Sequence, residues 1–149
     1  MITFFVPGDP VGKGRPRFTS QGGRGRAVTP VKTRNYERLV ATYAREAYKG
    51  EPLKSPVQIR LVVKHAVPDS WPVWKASLAL NGQLAPTIKP DSSNVLKAVE
   101  DALNGICYVD DNQVVHTSVI RLYCSQPGVF VEVSPLDVYP AQLARRPAA

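Results

Sequence analysis

Apolar and polar residues alternate, or form short apolar runs, in four stretches of the chain, and this pattern predicts four β-strands. The clearest alternation runs from Val57 to Val63, where every second residue is a branched apolar one. The last two stretches are separated by a short turn with Pro127 and Gly128, so we expect them to form a hairpin. The predicted strands are 2–6, 57–64, 114–124 and 128–134.

Apolar residues at three- and four-residue spacings predict two main helices, 33–49 and 91–103. Thr33 is the expected N-cap of the first helix, and Gly50 follows its end. In the second helix, a core face lies opposite a polar stripe. The stripe consists of Asn94, Lys97 and Asp101.

These elements predict a single α/β (α+β) domain over 1–149, in which the two main helices pack on a mixed β-sheet. A shorter helix is expected at 75–80, after Trp71 and Trp74, which we interpret as lids on the core rather than as base-stacking platforms. Residues 106–109 are expected to be extended, and 136–149 to form a loose C-terminal tail.

Composition narrows the class of protein further. The chain is 44% hydrophobic and 21% charged, which is typical of soluble globular proteins. It has no apolar run near the roughly 20 residues of a membrane span, and its start lacks the basic region of a signal peptide, so a cytoplasmic location is expected. Cys107 and Cys124 match no zinc or redox spacing and are expected to be reduced.

The formal net charge of +7 comes from one segment. Seven basic residues and no acid lie between Asp9 and Glu37, and the other twelve Lys and Arg balance the twelve Asp and Glu. Such a local excess indicates a polyanionic partner, and the absence of an amphipathic basic helix favours nucleic acid over a membrane surface. A solvated loop of a basic protein is the alternative. The basic residues are Lys13, Arg15, Arg17, Arg24, Arg26, Lys32 and Arg34.

Glycine and proline are frequent in 10–32, which predicts a long glycine-rich loop or an irregular hairpin. Long loops in compact domains are usually functional or disordered. Here the alternation of arginine with glycine indicates a backbone able to lie close to phosphates.

Acidic residues concentrate in a second segment, 89–113. It holds five of the twelve carboxylates, and Lys97 lies among them. Each has a structural explanation: a helix cap, an i,i+4 ion pair or a hairpin turn. Together with a separate basic loop, however, they also suit a divalent cation that assists phosphodiester hydrolysis. The acids are Asp91, Glu100, Asp101, Asp110 and Asp111.

The stretch KPDSSNVLKAVEDALNGICYVDDNQV resembles the core signature of the RusA family of Holliday-junction resolvases, small endonucleases common in prophages. The N-terminal FFVPGDPVGKGRPRFT is similar to the opening strand and basic loop of that family. The resemblance implies a homodimer that binds four-way junctions and other branched DNA, takes part in recombination and repair, and uses Mg²⁺, for which Mn²⁺ is expected to substitute. It implies no membrane partner and no small-molecule cofactor.

The resemblance also implies residue roles. Asp91 and Asp111 would be catalytic carboxylates that bind metal, Lys97 the catalytic lysine, and Asp110 a further candidate metal ligand. Supporting roles would fall to Ser93, Asn94 and Asp101.

One position departs from the family pattern, because Ser93 stands where the second aspartate is expected. A serine hydroxyl is a poorer Mg²⁺ ligand than a carboxylate. Three explanations are open. Another acid such as Asp110 or Asp101 takes the place of the aspartate, the chain has been altered at this position, or the protein binds junctions with weak or no nuclease activity. We favour the first explanation, because the other motif residues are all retained. A general nuclease of replication or packaging intermediates is a third functional hypothesis.

Overall fold

The computed structural model describes residues 1–19 and 25–136 of the chain. Arg24 lies outside the described residues. So does the predicted loose tail at 136–149, apart from Leu136. The strands are β1 (Ile2–Pro7), β2 (Arg17–Thr19), β3 (Arg26–Val28), β4 (Val57–Ala66), β5 (Val114–Cys124) and β6 (Gly128–Pro135). The helices are α1 (Val31–Ala47), α2 (Val73–Leu80) and α3 (Ser92–Leu103), with a 3₁₀ turn at Asp111–Gln113.

Four strands form one mixed sheet in the order β1-β6-β4-β5, which confirms the predicted fold class. β4 is antiparallel to β6 and parallel to β5, and β1 is antiparallel to β6. The predicted hairpin of the last two strands is wrong, because β4 lies between them. A parallel pair needs a long crossover, and the chain between β4 and β5 supplies one that contains α2 and α3.

The hydrophobic core lies between one face of the sheet and helices α1 and α3. The alternate residues Val57, Ile59, Leu61 and Val63 of β4 are at most 1% exposed, as their spacing predicts. The apolar faces of both helices pack against them. In α3 that face consists of Val95, Ala98, Val99, Ala102 and Leu103.

Helix α1 begins two residues earlier than predicted, and Pro30 occupies its N-cap position. Thr33 is therefore not the cap. It lies inside the first turn and is 2% exposed, and its hydroxyl accepts the backbone N–H of Gly14 at 2.9 Å. A buried hydroxyl needs a hydrogen-bond partner, and here that partner belongs to the basic loop.

The two tryptophans have different environments. Trp71 is partly buried and meets the ring of Tyr123 edge to face at 5.2 Å, with the ammonium of Lys75 4.1 Å above its own ring. Trp74 is 66% exposed, so its interpretation as a core lid is wrong. Helix α2 begins at Val73 rather than at residue 75, which places Trp74 on an exposed turn of that helix.

Residues 106–109 turn back on themselves and are not extended as predicted. Gly105 has φ +77° and donates its N–H to the carbonyl of Tyr108 at 2.8 Å. The ring of Tyr108 is fully buried and its hydroxyl donates to the carbonyl of Glu100 at 2.7 Å. Cys107 and Cys124 are free thiols, and no described helix has the length and hydropathy to span a bilayer.

Candidate active site

Asp91 is the N-cap of α3. Its Oδ1 accepts the backbone N–H of Asn94 at 3.2 Å, which stabilises the first turn of the helix. Capping uses one carboxylate oxygen and leaves Oδ2 outside that bond. Ser93 and Asn94 are exposed on the same first turn.

Lys97 is held between two carboxylates. Its Nζ lies 3.1 Å from Asp101 Oδ1 and 3.2 Å from Asp111 Oδ2. These bonds, to Asp101 first and Asp111 second, raise the pKa of Lys97 above its ordinary value of 10.5. Lys97 is therefore a stable cation at neutral pH, and its position is fixed from two elements of the fold.

The second carboxylate oxygen of Asp101 contacts a lysine of the basic segment. Asp101 Oδ2 lies 2.9 Å from Lys13 Nζ, which in turn lies 2.6 Å from Glu37 Oε1 on α1. Burial lowers the pKa of Lys13, but the bonds to Glu37 and Asp101 outweigh that effect and raise it. We call this series the ion-pair chain. It consists of Glu37, Lys13, Asp101, Lys97 and Asp111.

The ion-pair chain changes the interpretation of two residues. Lys97 and Asp101 are indeed an i,i+4 pair on the surface of a helix, but each also contacts a residue of another element. Lys13 was predicted to bind DNA, yet its ammonium is occupied by two carboxylates. Lys13 therefore helps to hold Lys97 in place through Asp101, and it is also part of the basic segment.

Asp110 and Asp111 lie on a tight turn that a capping box stabilises. Asp110 Oδ1 accepts the N–H of Asn112 at 3.1 Å, while Gln113 Oε1 accepts the N–H groups of Val109 at 2.9 Å and of Asp110 at 3.0 Å. The N–H of Asn112 holds the pKa of Asp110 below its usual range. Both carboxylates therefore lie on a turn with a defined shape.

Gln113 is a residue whose role the sequence interpretation missed. Its Nε2 donates to the carbonyls of Leu53 at 2.7 Å and Ser55 at 2.8 Å, so one side chain anchors the acidic turn to the segment before β4. The signal was present, because an aspartate followed three residues later by glutamine is the capping-box spacing.

A groove of about 680 Å³ lies between the basic segment and the start of α3. The loop comes very close to the helix: the N–H of Lys13 donates to the carbonyl of Asn94 at 3.0 Å, and a Cβ at Gly12 would lie 3.0 Å from Asn94 Cβ. Gly12 is therefore required for packing against α3. Charged and amide residues that line the groove are Lys13, Arg15, Lys32, Lys89, Asp91 and Asn94.

Of the other predicted DNA-binding residues that the structure describes, Arg15 and Lys32 line this groove, and Arg34 lies on α1. Arg15, Lys32 and Arg34 are exposed. Arg17 and Arg26 lie within the paired strands, where Arg17 is opposite Val28 and Arg26 is opposite Thr19. Within the described residues of 10–32, β2 and β3 form an antiparallel pair, and residues 10–16 have no regular secondary structure.

The structure brings the predicted catalytic residues together only in part. Lys97 contacts Asp111, whereas Asp91 lies six residues before Lys97 on the helix, a rise of roughly 9 Å along its axis. Within 1–19 and 25–136, no three His, Cys, Asp or Glu side chains are placed to hold a metal ion together. The donor set nevertheless fits Mg²⁺ in kind, because Asp91, Asp110 and Asp111 offer carboxylate oxygens and this ion commonly takes only one or two of them, with substrate phosphate and water.

Comparison with known proteins identifies a family. Residues 7–134 match the model of the family described as Endodeoxyribonuclease RusA. The chain is also 36% identical over 134 residues to the uncharacterized protein YqaN of Bacillus subtilis (strain 168), an alignment that covers 89% of this chain and 94% of that protein.

Proposed function

The chain belongs to the RusA family of endodeoxyribonucleases, and from this membership we propose that it is a Mg²⁺-dependent endonuclease that resolves Holliday junctions and other branched DNA. Membership of this family supports an activity on DNA junctions. The single observation that carries the proposal is the ion-pair chain. It connects the basic groove, through Lys13 and Asp101, to a lysine that is charged at neutral pH and held beside the acidic turn.

The proposed chemistry assigns a role to each group of residues. Asp91 and Asp111 would hold the cation, with Asp110 on the same turn as a further candidate ligand. The cation, when bound, supplies Lewis-acid chemistry, because it polarises a phosphoryl oxygen and makes water a better nucleophile. Lys97 offsets negative charge that develops on the phosphoryl oxygens, and Asp101 keeps its ammonium in place.

DNA binding is assigned to the exposed cations of the groove. Arg15, Lys32 and Lys89 are exposed and available for phosphate contacts. Such contacts release counterions from DNA, so affinity is expected to fall steeply as the salt concentration rises. A homodimer would place two sites on opposed strands, as paired cutting of a four-way junction requires.

The proposed function and its alternative differ in whether another acid replaces the aspartate that is missing at Ser93. Of the two acids that could replace the missing aspartate, Asp101 has both oxygens engaged by lysines, whereas Asp110 is exposed and has a depressed pKa. This favours Asp110 as the replacement. If no acid compensates, the protein binds junctions with little or no cleavage, which is the alternative function.

The proposal is tested with an end-labelled four-way junction and a linear duplex of the same sequence, each with Mg²⁺ or with a chelator. We expect nicks near the branch point of the junction only when Mg²⁺ is present. Tight junction binding without nicking would favour the alternative, and equal cutting of the duplex would favour a general nuclease. An Asp69→Asn variant is the matched control, because this exposed acid lies in the turn before α2, outside the proposed site.

A further inference from the structure

The segment between α2 and α3 leads directly to Asp91 but has few supports of its own. Residues 84–90 are mostly exposed, with Pro86 buried. Within the described part of the chain, no backbone hydrogen bond joins residues 84–90 to another backbone group. Without side-chain contacts this segment would be mobile, because few contacts and an exposed backbone lower local stability.

One side chain supplies the missing hydrogen bonds. Arg121 of β5 donates from Nη2 to the carbonyl of Pro86 at 2.8 Å and from both Nη atoms to that of Ile88 at 2.9 and 3.0 Å. Nη1 also lies 3.3 Å from the carbonyl of Pro90, the residue immediately before Asp91. A single guanidinium therefore contacts three carbonyls along five residues.

The position of Arg121 in the sheet explains how its guanidinium reaches these three carbonyls. In the register of the parallel strands it lies opposite the buried Val63 of β4, so it projects from the helix-covered face of the sheet towards the segment. In the part of the chain that the structure describes, no carboxylate lies within salt-bridge distance of it. The planar fork of donors matches several acceptors at once, which a lysine ammonium on a flexible stem does not.

We infer that Arg121 is a positioning residue: it fixes residues 86–90 on the sheet and thereby places Asp91 and the groove residue Lys89. The inference rests on the proposed function for its catalytic consequence, but the anchoring itself is independent of any activity. Arg121 acts through the backbone and does not touch the groups assigned to the reaction.

The anchoring is tested by NMR relaxation of the full chain, with Arg121→Met and Arg121→Lys compared with the wild type. In the wild type, the amides of Thr87, Ile88 and Lys89 should have order parameters near the rigid value of about 0.85. In Arg121→Met they should fall below about 0.6, while the centres of α2 and α3 stay rigid. Arg121→Lys should recover only part of this loss. Arg60→Met, an exposed arginine on β4, is the control and should change nothing.

The catalytic consequence is measured as the Mn²⁺ affinity and the junction-cleavage rate of the same variants. Misplacement of Asp91 should weaken Mn²⁺ binding and slow cleavage roughly ten- to a hundred-fold in Arg121→Met, with less effect in Arg121→Lys. Unchanged order parameters in Arg121→Met would overturn the anchoring, and full recovery with lysine would overturn the requirement for the guanidinium fork. Unchanged Mn²⁺ affinity with a mobile segment would overturn the link to Asp91. A wild type that binds Mn²⁺ but does not cut would overturn the proposed function instead, and leave the anchoring result valid.

Discussion

Asp101→Asn is the substitution that most directly perturbs the ion-pair chain. Within the ion-pair chain, Asp101 is the acid that contacts both lysines, with Oδ1 3.1 Å from Lys97 Nζ and Oδ2 2.9 Å from Lys13 Nζ. The amide keeps the size of the side chain but removes its charge. Lys97 then keeps Asp111 as its remaining partner, and Lys13 keeps Glu37.

The effect on stability should be modest. Each partly exposed ion pair contributes about 0.2–1 kcal/mol, so the loss of two amounts to about 0.4–2 kcal/mol. For a chain of this size that corresponds to a decrease in Tm of roughly 1–8 °C, smaller at high salt. Thermal unfolding followed by circular dichroism measures it.

The effect on the pH dependence follows from the sign of the pKa shift. The folded-state pKa of Lys97 is raised above 10.5, so its stabilising contribution is complete below that pH and is lost as the pH rises through the raised pKa. Without Asp101, the pKa of Lys97 is lowered relative to the wild type. Lys97 should therefore lose its charge at a lower pH in the variant than in the wild type, whereas at pH 7 it stays charged in both and the rate falls only because it is less well oriented.

The assay is single-turnover cleavage of a saturating four-way junction at pH 7 and constant Mg²⁺, and the pKa of Lys97 is followed separately by NMR titration of its side chain above about pH 9. We expect a rate at pH 7 reduced roughly ten-fold, which is about 1.4 kcal/mol of lost transition-state stabilisation. Glu46→Gln, an exposed acid of α1 outside the ion-pair chain, should behave as the wild type. An Asp101→Asn variant with an unchanged rate at pH 7 and an unchanged Lys97 pKa would refute the role assigned to Asp101.

Three further predictions concern the metal ligands, the groove and the departure from the family pattern. Asp91→Asn and Asp111→Asn should each abolish cleavage and leave junction binding equal or tighter, because each removes charge that repels phosphate; normal cutting by either variant would contradict the metal assignment. Arg15→Ala combined with Lys32→Ala should weaken binding and flatten its log-log salt dependence by about 1–2 units, measured by fluorescence anisotropy, whereas an unchanged slope would mean that the groove does not bind DNA. Ser93→Asp should preserve or increase cleavage, and a loss of activity would mean that the ligands are arranged differently from the family pattern.

Local periodicity was sufficient to predict most of the elements. The alternation from Val57 to Val63 and the spacing in α3 both result from burial of one face, and the structure buries the residues that these patterns select. Neighbour relations between strands carry no such local signal. The turn between β5 and β6 has the residues of a hairpin, yet it passes the end of β4, because β4 pairs with both strands.

The contacts within one helix of the candidate site were predictable. Asp91 at a helix start and Lys97 four residues before Asp101 could both be identified from spacing. The double role of Lys13 could not, since a charged residue in a basic segment gives no indication of a carboxylate on a distant helix. Arg121 was missed for a similar reason, because its partners are backbone carbonyls, which leave no trace in the side-chain sequence.

We propose that Lys97, held beside the acidic turn, serves junction cleavage rather than junction binding. The most direct measurement compares the wild type with Lys97→Met on one labelled four-way junction, with binding and nicking recorded on the same samples in Mg²⁺. We expect both proteins to bind the junction and only the wild type to nick it near the branch point. A wild type that binds but never nicks at any protein concentration, or a Lys97→Met variant that nicks as fast, would contradict the account.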